Sequence, residues 1–273
     1  MEWSPHLGLY PSYLRNKLKR GFGLGAGITY HPWLRVRDVP SIGTSGNPLG
    51  ITVPRIYHLL SLPERIYFYL LDRQPDVVDI REQFPILNLA ETLTICSELG
   101  VKHTRKGSFP EPFTLDFIVT RQTPFGLTYQ ARSIKTPEDA SIPKVRLRLK
   151  VEHNWCQQNN IEWKLVDTTG YSRDLFSTLT FMRGWALQRY VPNFEHLDEF
   201  VKVFFNIYGK NFPLKEMIQT CAVRLKRGHE TCLNEFRYCV WSDRITVDLM
   251  SKLTLHLPVV LHNDDLHGVC PRM

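Results

Sequence analysis

Three side chains have the types and settings that could do chemistry together: Glu64, Asp116 and Lys135. Asp116 interrupts Phe113-Thr114-Leu115-Asp116-Phe117-Ile118-Val119, an apolar run rich in β-branched and aromatic residues that reads as a strand holding one charge. Lys135 ends a second run in which Tyr129, Ala131, Ser133 and Lys135 share one face. A turn through Gln122-Thr123-Pro124-Phe125-Gly126 would fold the two runs into a hairpin and bring Asp116 towards Lys135. An acid on one strand and a lysine two residues beyond a polar position on the next is the core pattern of metal-dependent nucleases. Carboxylates hold Mg²⁺, the metal activates water and neutralises the phosphate, and the lysine adds a fixed positive charge. By itself an Asp-x16-Ser-x-Lys spacing specifies little; its surroundings give it weight.

The elements that must position these groups are legible to differing degrees. Ser61-Leu62-Pro63-Glu64 opens a helix to about Leu71, with Ile66, Tyr67, Leu70 and Leu71 as its buried stripe. Ser-x-x-Glu is also a capping box, so Glu64 has a purely structural reading as well as a catalytic one. Pro75 to Pro85 reads as a strand. Thr136-Pro137-Glu138-Asp139 is a helix start, which ends the lysine strand at Lys135 and favours Ser133-x-Lys135 over the competing Gln130-x-Arg132 on the other face. A longer basic helix from Pro143 to about Asn159 carries Val145, Leu149, Glu152 and Cys156 on one stripe. An acid on an apolar stripe needs a cation, a metal or a donor beside it, so Glu152 joins Gln130 as a second-tier site candidate; the alternative is an acid at the stripe edge reaching solvent.

Composition narrows the classes. The 273 residues carry a net charge of +7, which suits a polyanionic partner, although surplus lysine and arginine also serve solubility alone. No run of eighteen apolar residues and no charged-then-apolar leader occurs, so the expectation is a cytoplasmic protein with no membrane association. The six cysteines are scattered, with neither zinc-ligand spacing nor a disulfide framework. Residues 1–55 read as a basic, Gly-rich N-terminal arm. Its Gly21-x-Gly-x-Gly-x-Gly27 lacks the preceding strand and following Gly-Lys of a phosphate loop. The arm reads either as a flexible segment tracking DNA or a partner protein, or as a loop wrapped on the core. Residues 56–168 read as the catalytic domain. In 169–273, helices over 175–190, 194–208, 214–226 and 230–239 precede short extended pieces at 245–247 and 253–261, a pattern that suits a winged-helix-like partner-binding domain.

Several strings resemble the TnsA endonuclease subunit of heteromeric cut-and-paste transposases. They are Leu59-Leu60-Ser61 through Glu64, Asp79-Ile80-Arg81-Glu82-Gln83-Phe84-Pro85, the glycine run leading to Tyr30-His31-Pro32-Trp33 and Val39-Pro40-Ser41, and Asn154-Trp155-x-Gln-Gln158 leading to Trp163. The likeness spans roughly residues 15–167. It implies a restriction-endonuclease-like fold, a mixed sheet flanked by helices. It also implies a Mg²⁺-dependent enzyme (Mn²⁺ substituting) that cuts the 5′ ends of a transposon while a TnsB-type recombinase cuts and joins the 3′ ends. The C-terminal domain would dock a TnsC-type ATPase regulator. Carried over residue by residue, Glu64, Asp116 and Lys135 fall on the catalytic positions. Glu64 and Asp116 would hold metal, helped by the Ile134 carbonyl and by Ser133 at the metal-side polar position. Nucleases of this fold commonly have a carboxylate where Ser133 stands, which puts the number of bound metals in question. The rival readings are a free-standing restriction or repair nuclease and a non-catalytic module bridging DNA, recombinase and regulator.

Overall fold

The computed structural model describes residues 10–39 and 44–262. Pro40-Ser41, Cys270 and the tail 263–273 lie outside the described residues. The chain divides into two compact units, Met1–Thr169 and Gly170–Met273.

The first unit contains α1 (Ser12–Lys19), α2 (Leu62–Asp72), β1 (Val77–Pro85), α3 (Leu89–Glu98), β2 (Arg105–Lys106), β3 (Phe109–Pro110), β4 (Thr114–Thr123), β5 (Gly126–Ile134), α4 (Pro137–Ser141), α5 (Pro143–Gln158) and β6 (Glu162–Val166). Four strands form a mixed sheet in the order β1-β4-β5-β6, antiparallel at the first two junctions and parallel at the last. The expected hairpin joins β4 to β5: Thr123 pairs with Gly126, whose φ of +114° suits a residue without Cβ. Strand residues Phe84, Leu115, Ile118 and Ala131 share a core with Ile95 of α3 and Val151, Trp155 and Cys156 of α5. That core clamps the middle of the sheet, where β4 is buried from Thr114 to Thr120.

Two readings of this unit need correction. In α2 the buried residues include Phe68 and Tyr69, whereas Tyr67 and Leu70 are only half-buried; the stripe follows Ile66, Phe68, Tyr69 and Leu71 because the preceding loop also covers the helix, with Tyr57 against Phe68 at 4.3 Å. The N-terminal stretch is not a free arm over its described residues. Tyr10, Leu14, Leu18 and Trp33 make a small core with Leu87. The Tyr30 hydroxyl donates to the Glu82 carbonyl (2.9 Å), and the Trp33 amide to the Gln83 carbonyl (3.2 Å). Gly23 has φ +75°, and a Cβ there would sit 2.3 Å from Pro85 Cγ; this glycine lets the stretch lie flat on β1.

The second unit is helical: α6 (Arg173–Met182), α7 (Gly184–Leu187), α8 (Phe194–Ile207), α9 (Leu214–Leu225) and α10 (His229–Trp241). The single helix expected over 175–190 breaks at Arg183, where a Cβ on Gly184 would lie 2.9 Å from the Arg237 side chain of α10. The extended pieces pair through single bridges, Pro213 with Pro258 and Val247 with Leu261, and the described residues of this unit include no regular strand. Arg227, just beyond α9, pairs with Glu199 and Glu235. The five described cysteines are free and buried. No helix among the described residues is long and apolar enough to cross a membrane.

Candidate active site

The site sits where the sheet forks. The β4–β5 ladder ends with Phe117 opposite Arg132. Beyond that pair β4 stays with β1, Leu115 against Phe84, while β5 stays with β6, Ser133 against Leu165 and Ile134 against Val166. A strand leaving its neighbour needs new partners for its backbone donors. Here the Ile134 amide donates to Asp116 Oδ2 at 2.6 Å. Lys135 Nζ reaches the same oxygen at 2.6 Å and the Ile134 carbonyl at 2.8 Å. Oδ2 thus takes both donors, and Oδ1 of Asp116 has no hydrogen bond among the described residues.

Burial alone would lower the Lys135 pKa, but the charges of Asp116, Glu152 and Glu64 outweigh it and hold the ammonium above the ordinary lysine range. Lys135 is therefore a fixed cation at neutral pH and no general base.

Glu64 enters from the first turn of α2. Ser61 caps the helix by accepting from the Glu64 amide (3.3 Å), and its hydroxyl donates to Glu64 Oε1 (2.9 Å). The other carboxylate oxygen accepts from the Leu60 amide (2.9 Å) and from Gln83 Nε2 (3.2 Å). Glu64 thus closes the capping box while donors from outside the helix also hold its carboxylate. Burial first, and then the charge of Asp116, push the Glu64 carboxyl up to about 7. Gln83 was not among the residues singled out from sequence. It is buried within β1 at φ +48°, a backbone conformation uncommon for a residue with Cβ, and it aims its amide at Glu64.

Glu152 is 2% exposed, so it is no edge residue reaching solvent. Its Oε2 accepts from Ser133 Oγ at 2.6 Å and its Oε1 from Arg148 Nε at 3.0 Å. Burial, partly offset by Arg148, raises its pKa. Ser133 also accepts from Trp163 Nε1 at 3.0 Å, so its hydroxyl is engaged on both sides. The charge missing at Ser133 is thus supplied beside it by a carboxylate from α5. Gln130 stands apart: it lies on the opposite face of β5 and bonds Arg121, Arg132 and Glu162. Nothing in its surroundings links it to Asp116.

Among the described residues no three His, Cys, Asp or Glu side chains form a metal-holding group. A cation at the fork would therefore draw on two carboxylates, a carbonyl and water. That donor set suits Mg²⁺, which is commonly held by one or two carboxylates and completed by substrate phosphate and water. Burial first, and then the nearby Asp116 charge, disfavour the Glu64 carboxylate, and a cation beside the two acids would offset part of that cost.

The fork, Asp116, Glu152 and Lys135 fall inside a segment with a known pattern: residues 74–168 match the family described as TnsA-like endonuclease N terminal. Over 153 residues the chain is 33% identical to the Transposon Tn7 transposition protein TnsA of Escherichia coli, covering 55% of this chain and 54% of that protein. The chain thus spans about half the length of the curated relative it matches. Glu64 lies upstream of the family match, and its link to Asp116 and Lys135 is electrostatic.

Proposed function

We propose that the chain is the Mg²⁺-dependent DNA endonuclease subunit of a heteromeric transposase, cutting the 5′ ends of a transposon in the bacterial cytoplasm beside a TnsB-type recombinase. Its C-terminal unit, read as winged-helix-like, would dock a TnsC-type ATPase regulator. The observation that carries this reading is the shared contact of the Lys135 ammonium and the Ile134 amide with Asp116 at the sheet fork, within the electrostatic reach of Glu64.

Glu64 and Asp116 would hold the cation together with the Ile134 carbonyl, and Ser133 and Glu152 would face it from the β5 side. When bound, the metal supplies an activated water and neutralises charge on the scissile phosphate. Mn²⁺, equally suited to carboxylate and carbonyl oxygens, should substitute. Lys135, fixed by Asp116 and Ile134, stabilises the charge that grows on the phosphoryl oxygens. Gln83 and the Leu60 amide hold the Glu64 carboxylate in one orientation.

The test is Asp116→Ala in the reconstituted subunits on a duplex carrying a transposon end. Loss of 5′-strand cutting with 3′-strand cutting preserved supports the reading. Unchanged 5′ cutting would instead make the chain a non-catalytic assembly module. Efficient cutting of naked DNA by the isolated chain would make it a free-standing nuclease.

A pH effect follows from Glu64. Its folded-state pKa, about 7, lies above the ordinary 4.5, so ionising it opposes folding. The metal-free protein is expected to lose stability as pH rises from about 4.5 towards 7, and metal binding to restore it. Because the bound form needs the carboxylate, Mg²⁺ affinity should fall about tenfold per pH unit below 7 through one released proton. Titration calorimetry in buffers of different ionisation enthalpy measures that proton, and Glu64→Gln should abolish it.

A further inference from the structure

A second site lies beside the first. The N-terminal stretch and residues 55–58 enclose a cleft of about 520 Å³, within the ~300–1,000 Å³ usual for ligand sites. Its walls carry Arg20, Arg35, Arg55, His31 and His58 around the ring of Phe22, and no carboxylate lines it. Arg20 and Arg35 stand 5.4 and 4.8 Å from the Phe22 ring centre. Arg55 is committed to Glu82 at the cleft floor, whereas Arg35 is paired with the exposed Asp38 (2.9 and 3.1 Å), a solvent-facing partner with which a phosphate would compete. Two exposed apolar side chains, Ile28 (67%) and Ile56 (52%), form the rim. After burial, Arg35 is the next cause lowering the His58 pKa, and Arg55 and Arg37 add to it against the opposing charge of Asp38.

The position matters as much as the charge. His58 lines the cleft, and two residues further the Leu60 amide holds the Glu64 carboxylate. Two residues of chain span at most about 7 Å. That is the rise of about two nucleotides along one DNA strand, at ~3.4 Å each.

We propose that this cleft is a nucleotide subsite for the DNA strand beside the scissile phosphate, with Arg20 and Arg35 gripping a backbone phosphate and the Ile28–Ile56 rim packing its sugar and base. The proposal rests on the endonuclease reading above. It gives that reading something the catalytic residues lack: a grip on the strand that fixes which phosphate meets Asp116 and Lys135. Phosphate contacts set register without reading sequence, so the subsite positions and does not discriminate.

The test uses the full chain and a fluorescein-labelled 20-base-pair duplex without divalent metal. Arg20→Ala/Arg35→Ala is expected to weaken binding at least fivefold and to lower the slope of log affinity against log salt by one to two. Arg20→Lys/Arg35→Lys should keep the slope, because the charges remain. Mn²⁺ binding, measured by titration, should be unchanged in both variants, which shows that the fold and the metal site are intact. With the reconstituted subunits on a transposon-end duplex, a single neutral methylphosphonate walked along the strand should weaken wild-type binding at one linkage within about three nucleotides of the cut, and that penalty should vanish in the alanine variant. Wild-type affinity and slope in the alanine variant, or the same methylphosphonate penalty in both proteins, would overturn the proposal. The salt slope is read without cleavage, so it decides the subsite even if Asp116→Ala shows that the chain cuts nothing.

Discussion

Lys135→Ala is expected to slow 5′-strand cleavage about 10²–10³-fold, the usual consequence of removing one fixed donor from a developing oxyanion. The ammonium is held by Asp116 Oδ2 at 2.6 Å and the Ile134 carbonyl at 2.8 Å, so it is already placed before substrate arrives. Arginine should not rescue, because a planar fork cannot sit where a compact ammonium bonds two oxygens across the strand end. The substitution has a second readout. Lys135 lowers the Glu64 pKa, so its loss should carry that carboxyl further above 7 and move the pH at which Mg²⁺ binds upwards. Single-turnover cleavage and the pH profile of metal binding check both; a rate within threefold of wild type would remove Lys135 from the mechanism.

Arg55→Ala is expected to have the largest effect on stability, about 3–5 kcal/mol, as is usual when one member of a buried ion pair is removed. Glu82 has no exposure and receives both guanidinium nitrogens, at 3.0 and 2.5 Å, with the His58 amide at 2.9 Å. Arg55 also donates to the Ile80 carbonyl (2.7 Å) and stacks 3.7 Å from the Tyr57 ring centre. Without it a carboxylate remains in the core of the site wall, one residue from Gln83. Urea unfolding at pH 7 measures the loss. Arg55→Met/Glu82→Met should recover much of it, because no charge is then left buried; a single-mutant loss under about 1 kcal/mol would contradict the account.

These two residues show what is and is not legible in the chain. Lys135 is readable because an alternating strand ends at a Thr-Pro helix start, and both signals are local. Asp116 is readable because one charge in an apolar strand is conspicuous. The Arg55–Glu82 pair is invisible locally: its members are 27 residues apart, and nothing in either segment names the other. The fork is equally hidden, since it depends on β5 leaving β4 for the parallel strand β6. Gln83 lies in the Asp79–Pro85 string that carries the resemblance, but nothing in its residue type announces its conformation, because a positive φ is not a preference of glutamine. Helix α3 was readable in principle, from the Asn88 cap that accepts the Glu91 amide at 3.4 Å. The glycines of the N-terminal stretch read as flexibility in sequence, yet Gly23 serves close packing against Pro85. For Ser133, spacing alone identifies a polar position on the right face; that its hydroxyl is turned to Glu152 requires α5 to be in place.

The most direct measurement is the anomalous difference density of crystals soaked in Mn²⁺. The account predicts one peak at the sheet fork, bonded by Glu64 and Asp116 and lost in Asp116→Ala. Crystals that bind Mn²⁺ elsewhere, or that show no peak at the fork with both carboxylates in place, would contradict it.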